Sequence, residues 1–407
     1  MRLLLLLFTA LTLHADTTLL SLIESAQHNE QLESLNKHTN AAGLQHQAAK
    51  NSYLPRIDAF ANGSVVNPSG GFDAAQNYSA GLRGEYVVFD GFKRENKLDQ
   101  TKALENAAKY RHSAGKKEIS LDVIQRYFEL QNTLEEIHTY SLVKDQLQAQ
   151  LSRLEKFLSA GLASKDALMR IRSAFSNAQY QLEDLSYQRD RQTTDLETMT
   201  NQTLGTLAPV SVREPTVSKN DELDSLKALK YSRDATTYQA QQSDSGFLPT
   251  VTVSDQYTVS HYVDDPIAAM RVNNQNKLTA SLSLNLLDFS AASTAKQALI
   301  AQSHAQTLEL NYAVKQSSAN LSMASRSIER SRALILSAQS AFDASNKTYE
   351  AVKQKYEARI IDYVTYLEAL RALSDATNQL NRAKRTLHST YAAYYYYAGF
   401  DPKELLQ

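Results

Sequence analysis

In residues 277–288, KLTASLSLNLLD, the first ten alternate without a fault. Leu278, Ala280, Leu282, Leu284 and Leu286 fall on one side of an extended chain, and Lys277, Thr279, Ser281, Ser283 and Asn285 on the other. Tyr78, Ala80, Leu82, Gly84, Tyr86 and Val88 alternate in the same way with Asn77, Ser79, Gly81, Arg83 and Glu85. So do Val251, Val253, Tyr257 and Val259 with Thr250, Thr252, Ser254, Gln256 and Thr258, whereas residues 56–66 are weaker, with small side chains at Ala59, Ala61 and Gly63. Elsewhere the period is helical. Leu130, Leu134 and Ile137, then Leu147, Leu151, Leu154 and Leu158, step by three and four and trace the narrow seam of a coiled coil.

Helix-breaking residues are confined. The seven prolines stand at 55, 68, 209, 215, 249, 266 and 402, and no glycine occurs from Phe247 to Ala398. Stretches without breakers and rich in Ala, Leu, Gln, Lys, Glu and Ser sustain helices well beyond three or four turns. The pattern predicts helices from Gly91 to Leu158 and from Ser290 to Tyr356, with a break at Gly115. At about 1.5 Å per residue each is on the order of 100 Å long.

The chain also repeats itself. Tyr53-Leu-Pro-Arg-Ile-Asp58 matches Phe247-Leu-Pro-Thr-Val-Thr252, Val88-Phe-Asp90 matches Leu286-Leu-Asp288, and Leu158-Ser-Ala-Gly-Leu162 matches Tyr356-Glu-Ala-Arg-Ile360. The proline of each first pair opens a strand at a position that tolerates it, and Asp90 and Asp288 stand where they cap the following helix. Pro55 and Pro249 are 194 residues apart, and the other two pairs 198. Such a spacing describes a tandem duplication rather than a solenoid. One unit spans 16–210, with strands at about 55–66 and 77–90 and a hairpin tip at about 159–166; the second spans 211–407, with strands at about 249–262 and 277–288 and a tip at about 356–363. Each unit reads helix, strand, strand, helical hairpin.

Strands of about 10 to 13 residues suit a tilted crossing of a bilayer. Four strands cannot close a barrel, and open edges are forbidden in lipid, so such a sheet would be completed by other copies. Three copies give twelve strands, within the range of even-numbered barrels. A soluble sheet packed on the helices is the alternative that period two leaves open.

The start of the chain, MRLLLLLFTALTLHA, has one arginine, an apolar run from Leu3 to Leu13 and Leu13-His14-Ala15 as a cleavage site. It predicts a signal peptide over 1–15, because about 11 apolar residues fall short of the roughly 20 that span a membrane. There is no cysteine among the 407 residues, hence neither a disulfide framework nor a lipoprotein acceptor. The 43 basic and 44 acidic residues are dispersed, which excludes the basic block of a nucleic-acid binder.

Candidate chemistry is sparse. His28, His38 and His46 are not spaced to share one helix face as metal ligands and read as surface residues. Gly81 and Gly84 lack the following helix of a nucleotide loop, and Asp264-Asp265-Pro266 reads as a solvated turn. The run from Tyr391 to Tyr397 reads as helix packing rather than a stacking platform. No catalytic triad or carboxylate pair is recognisable, and no cofactor is implied.

Together, the leader, duplicated halves, paired strands and long hairpins resemble the TolC-like outer membrane factor family over about Asp16 to Gln407. The most specific resemblance lies in Ser159-Ala-Gly-Leu-Ala-Ser-Lys-Asp166 and Tyr356-Glu-Ala-Arg-Ile-Ile-Asp-Tyr363, in that order and at that spacing. The resemblance implies a mainly α chain with a transmembrane β-barrel. It further implies a homotrimer whose 12-stranded barrel continues into a periplasmic α-helical barrel closed at the hairpin tips. Implied partners are outer membrane lipid, a periplasmic adaptor (membrane fusion) protein and an inner membrane transporter; the channel hydrolyses nothing. Tyr356 corresponds to a gate tyrosine, Asp166 and Asp362 fall in the gate turns, and Glu368 corresponds to an acidic position at the pore entrance. Ile361 stands at the family's gate arginine and Thr365 at its first acidic position. Three copies of Glu368 about an axis would form a cation-favouring ring. Ala160, Gly161 and Leu162, with Ala358, Arg359 and Ile360, are the implied docking tips; Arg359 replaces the usual glycine.

The leading reading is an outer membrane export channel for small molecules or proteins, serving a tripartite efflux pump or a type I secretion system. The rival is a periplasmic coiled-coil adaptor or spacer, which would carry a lipoyl-like or small barrel module interrupting one hairpin. An exported hydrolase is disfavoured by the lack of site chemistry.

Overall fold

Free of proline, the two central helices run long: α3 (Lys93–Ser159) and α6 (Ala291–Glu357) have 67 residues each. The computed structural model describes residues 17–67, 71–216 and 221–406, so the leader at 1–15 and Pro68 lie outside the described residues. The break expected at Gly115 does not occur, and α3 passes through it. A single glycine costs a helix only about 1 kcal/mol relative to alanine, which the flanking helix formers outweigh.

The remaining helices are α1 (Leu19–Ala26), α2 (Glu30–Asn51), α4 (Lys165–Thr200), α5 (Asp224–Gln242) and α7 (Tyr363–Tyr397). The strands β1 (Arg56–Val65), β2 (Gln76–Asp90), β3 (Thr250–Val263) and β4 (Asn274–Ser283) form one antiparallel sheet in the order β1-β2-β3-β4. The last strand starts earlier and stops sooner than the alternation suggests: Leu284, Leu286 and Leu287 lie beyond it. Ser283 pairs with Thr250, and the next position on β3 is Pro249, which has no N–H to extend the ladder.

The duplication is written most clearly in the backbone. Positive φ recurs at Gly91 and Phe289, Phe92 and Ser290, Gly161 and Arg359, and Asn201 and Gly399, every pair 198 residues apart. The side chains differ within each pair, so it is the turn geometry that is repeated. The first two pairs make the sharp turn from strand to long helix. Beyond it Asp90 and Asp288 act as caps: Asp90 accepts from the Arg94 amide at 3.2 Å, and Asp288 from the Ala292 amide at 2.8 Å.

Compact units do not coincide with the repeats. One unit comprises residues up to Ser34, Ser113–Asp224 and Lys315–Gln407; the other comprises Leu35–His112 and Ser225–Val314. Each takes matching parts of both repeats, so neither half of the chain is a domain by itself.

The second unit contains the sheet and a helical part whose buried positions are largely alanine, including Ala103, Ala107, Ala228 and Ala235. Tyr110 and Tyr231 stack there at 5.5 Å. His46 is buried and bonded to the Thr101 hydroxyl at 3.1 Å, correcting its reading as a surface residue. Asp265 is likewise no solvated turn residue: its side chain is 1 % exposed and paired with Arg271 at 3.2 Å. In the first unit, α3, α4, α6 and α7 bury Leu147, Ala178, Tyr349, Tyr366 and Leu370 in one cluster and Leu151, Leu154, Leu168 and Ile171 in the next. Leu147, Leu151 and Leu154 of the predicted seam lie in the core that leads to the hairpin turns, whereas Leu134 of the same stripe is 38 % exposed.

Candidate functional site

Two features carry chemistry: the faces of the sheet and the pair of hairpin tips. Register assigns Ile57 and Val65, Tyr78, Leu82 and Tyr86, Tyr257 and Val259, and Leu278 and Leu282 to one face. All nine are exposed, from 42 to 76 %. Leu278 and Leu282 are the leucines of the opening segment that remain within the strand. The opposite face is polar. A cross-strand row places Asp58, Arg83, Gln256 and Lys277 side by side, and the Arg83 guanidinium donates to Gln256 Oε1 at 2.7 and 2.9 Å.

From Tyr78 to Tyr86 the apolar face of β2 extends eight residues, about 26 Å at about 3.3 Å each. At the roughly 40° tilt of a barrel strand this covers about 20 Å of height, most of an apolar band of about 25 Å bounded by aromatic girdles. Asp255 stands on this face, opposite Gly84 and Leu278. The sequence reading passed over it, although strict period two reaches it. The sheet's outer strands, β1 and β4, each have a partner on one side only within this chain.

The hairpin tips are built alike. At the first, Ala160 donates to the Lys156 carbonyl, Gly161 (φ 74°) to Leu158, and Leu162 to Phe157 at 2.8 Å. At the second, Ala358 donates to Gln354, Arg359 (φ 63°) to Tyr356, and Ile360 to Lys355 at 2.8 Å. Both are left-handed caps in which the bonds close off the last carbonyls of the outgoing helix. They leave Leu162 and Ile360 64 % and 72 % exposed. The returning helices are capped at matching positions, α4 by the Ser164 hydroxyl accepting from Ala167 N and α7 by Asp362 accepting from Thr365 N and Oγ1. Asp362 is therefore occupied as a cap, and the Thr365 amide holds its carboxyl below the usual range.

The structure joins the two tips through Asp166 and Tyr363, a tyrosine outside the gate residues named from the sequence. Tyr363 donates its hydroxyl to Asp166 Oδ2 at 2.8 Å, and Arg170 supports the carboxylate at 3.2 Å. The Tyr363 hydrogen bond, followed by Arg170, lowers the Asp166 pKa, and the same bond raises that of Tyr363. Tyr356 instead packs inward, stacked on Tyr366 at 4.7 Å with the rings 17° from parallel, and burial raises its pKa. Sequence reasoning missed Tyr363 because its partner lies 197 residues away on another helix N-terminus.

Glu368 is exposed on α7, where it lines a cleft of about 560 Å³ with Tyr140, Asn177, Arg371 and Asp375. The cleft is separate from the Asp166–Tyr363 contact. Among the described residues no group of three or more His, Cys, Asp or Glu side chains is arranged to hold a metal, and no helix is long and apolar enough to cross a membrane.

A family model described as outer membrane efflux protein matches residues 22–202 and again 222–399, one match for each repeat. Among solved structures, the chain is similar to the Campylobacter jejuni CmeC outer membrane channel, with a TM-score of 0.86, 14 % identity and coverage of 94 % of this chain and 86 % of that one. It is also similar to the outer membrane protein VceC of Vibrio cholerae, with a TM-score of 0.83, 15 % identity and coverage of 94 % and 96 %. The open state of the Neisseria gonorrhoeae MtrE outer membrane channel gives 0.79, 15 %, 94 % and 89 %. At these identities the likeness carries the fold. No curated protein sequence matches the chain.

Proposed function

Because the chain belongs to the outer membrane efflux protein family, and is thus an outer membrane efflux channel rather than an enzyme, we propose that it works as a homotrimer in which three four-stranded sheets close one 12-stranded barrel. The observation that carries this reading is the sheet itself: largely apolar on one face, with Asp255 the charged exception, polar on the other, and open at both edges. Pairing β4 of one copy with β1 of the next satisfies those edges, as lipid requires. The helix α6 supports the same assembly, because it leaves Leu308, Tyr312, Met323 and Leu336 at least 60 % exposed. Such side chains on one long helix suit burial against a neighbouring copy.

In this reading the helical hairpins extend into the periplasm and their tips form the constriction. Asp166, with Tyr363 and with Tyr356 behind it, holds the constriction shut, and Glu368 contributes three carboxylates to the wall. The exposed Leu162 and Ile360, displayed with Ala160, Gly161, Ala358 and Arg359, suit docking of a periplasmic adaptor, which joins the channel to an inner membrane transporter. Cargo, small molecules or a secreted protein, leaves along the axis, and the transporter supplies the energy.

Single-channel conductance of the purified protein in planar bilayers, with chemical cross-linking on the same sample, tests the proposal. Small discrete cation-selective openings from a trimer are expected, with larger or more frequent openings in Asp166→Ala and Tyr363→Phe. A monomer without conductance would refute the channel assembly, and unchanged openings in both variants would remove the gate.

A further inference from the structure

We propose that Arg359 is a positioning residue of the constriction, a cation that pins the second hairpin turn to the ring of Phe157 in the first hairpin. The inference rests on the gate reading above and adds a contact that no sequence motif marks.

The backbone gives the first reason. Arg359 adopts φ 63°, a left-handed conformation in which an L side chain crowds the following carbonyl, while its counterpart 198 residues earlier, Gly161, meets the same demand at φ 74° without a side chain. The turn retains its shape whichever residue occupies it, so the arginine is not needed to form the cap.

Its side chain supplies the second reason. The guanidinium carbon lies 4.6 Å from the centroid of the Phe157 ring, within the range of a cation–π contact. Phe157 belongs to the last turn of α3, and its carbonyl receives the Leu162 amide, so the residue that carries the ring is part of the first tip's own cap. Arg153, one turn earlier on α3, lies 5.3 Å from the same centroid and orients the ring from the first hairpin. The cation from the second turn therefore meets an aromatic ring carried on the cap of the first and shared with Arg153.

Geometry then gives this contact a role distinct from the Asp166–Tyr363 bond. Arg359 and Tyr363 bracket the second turn, and their partners, Phe157 and Asp166, stand on the two sides of the first. A turn held at one point can swing about it; a turn held at both ends cannot. The two pins also differ in chemistry. Protonating Asp166 weakens the acceptor of the Tyr363 hydrogen bond, whereas the contact of Arg359 with the ring involves no carboxylate.

Bilayer conductance of the full trimeric protein separates the possibilities. Arg359→Gln and Phe157→Leu should each raise the open-to-closed ratio about two- to fivefold per protomer, the range expected for one exposed cation–π contact. The double variant should add nothing further, and Arg359→Lys should stay near the parent. Arg359→Gly serves as the backbone control: if glycine raises opening while glutamine does not, turn flexibility is responsible and the cation is not. If Arg359→Gln and Phe157→Leu match the parent while Asp166→Asn raises opening, the pin is refuted and the gate reading survives. If Asp166→Asn and Tyr363→Phe are silent as well, both fall together.

Discussion

Replacing Arg271 by alanine should unlatch two loops without unfolding the sheet between them. The Arg271 guanidinium pairs with Asp265 at 3.2 Å, donates to the Phe72 carbonyl at 2.8 Å and lies 5.1 Å from the centre of the Tyr262 ring. Its side chain is 30 % exposed, against 1 % for Asp265. Removing one partner of a fully buried pair costs roughly 3–5 kcal/mol, because the remaining charge is left uncompensated. Partial exposure of Arg271 lowers that to about 2–3 kcal/mol, which makes local opening about 30- to 150-fold more populated. Hydrogen exchange resolves such an opening at the amides of Ala75, Ile267 and Met270, bonded respectively to Asp264 O, Asp265 Oδ1 and Ile267 O. Their protection should fall by that factor in Arg271→Ala while amides within β2 and β3 keep theirs. Asp265→Asn, which retains an acceptor for Ile267, should lose less. Unchanged protection at all three amides would show that the loops are held by their own turns and that the ion pair is incidental.

Three further outcomes follow from the fold. Tyr366→Ala removes a ring buried between Tyr349 and Tyr356, and should cost about 3–5 kcal/mol, against about 1 kcal/mol for Tyr366→Phe; thermal melts in one detergent at one protein concentration compare them. Asp166 has a depressed pKa, so its bond to Tyr363 contributes fully above the ordinary carboxylate value and is lost as pH falls through the lowered one. Conductance should therefore rise on acidification below about pH 4 in the parent protein, and Asp166→Asn should flatten that rise. Gly81→Ala would bring a Cβ within 2.1 Å of the Tyr257 carbonyl oxygen and 2.8 Å of the Phe60 ring; folded protein in the membrane fraction should drop sharply, with Ser79→Ala close to the parent.

Period, punctuation and duplication, all local properties, were open to reading along the chain. Confined breakers specified the long helices, alternation specified four strands with one apolar face, and Asp90 and Asp288 were recognisable as caps because a cap acts within one turn of its own position. Limits of the same local kind explain what was misread. The end of β4 depended on Pro249 across the ladder, the burial of Asp265 on Arg271, and that of His46 on the helix beside it. The Gly115 break failed for the opposite reason, since flanking helix propensity outweighs one glycine.

At the tips, the sequence determined where the turns fall and that they are related by 198 residues. Only the tertiary structure decided that Tyr363 reaches Asp166 while Tyr356 stacks on Tyr366, and that Arg359 lies over Phe157. The bond to Asp166 and the contact over Phe157 join residues 197 and 202 positions apart, and no periodicity encodes which side chains meet when two helical hairpins pack. The physical reason is that a pattern fixes the face a helix buries, whereas rotation and axial offset against its neighbour are set by how the buried rings of Tyr349, Tyr356 and Tyr366 fit together.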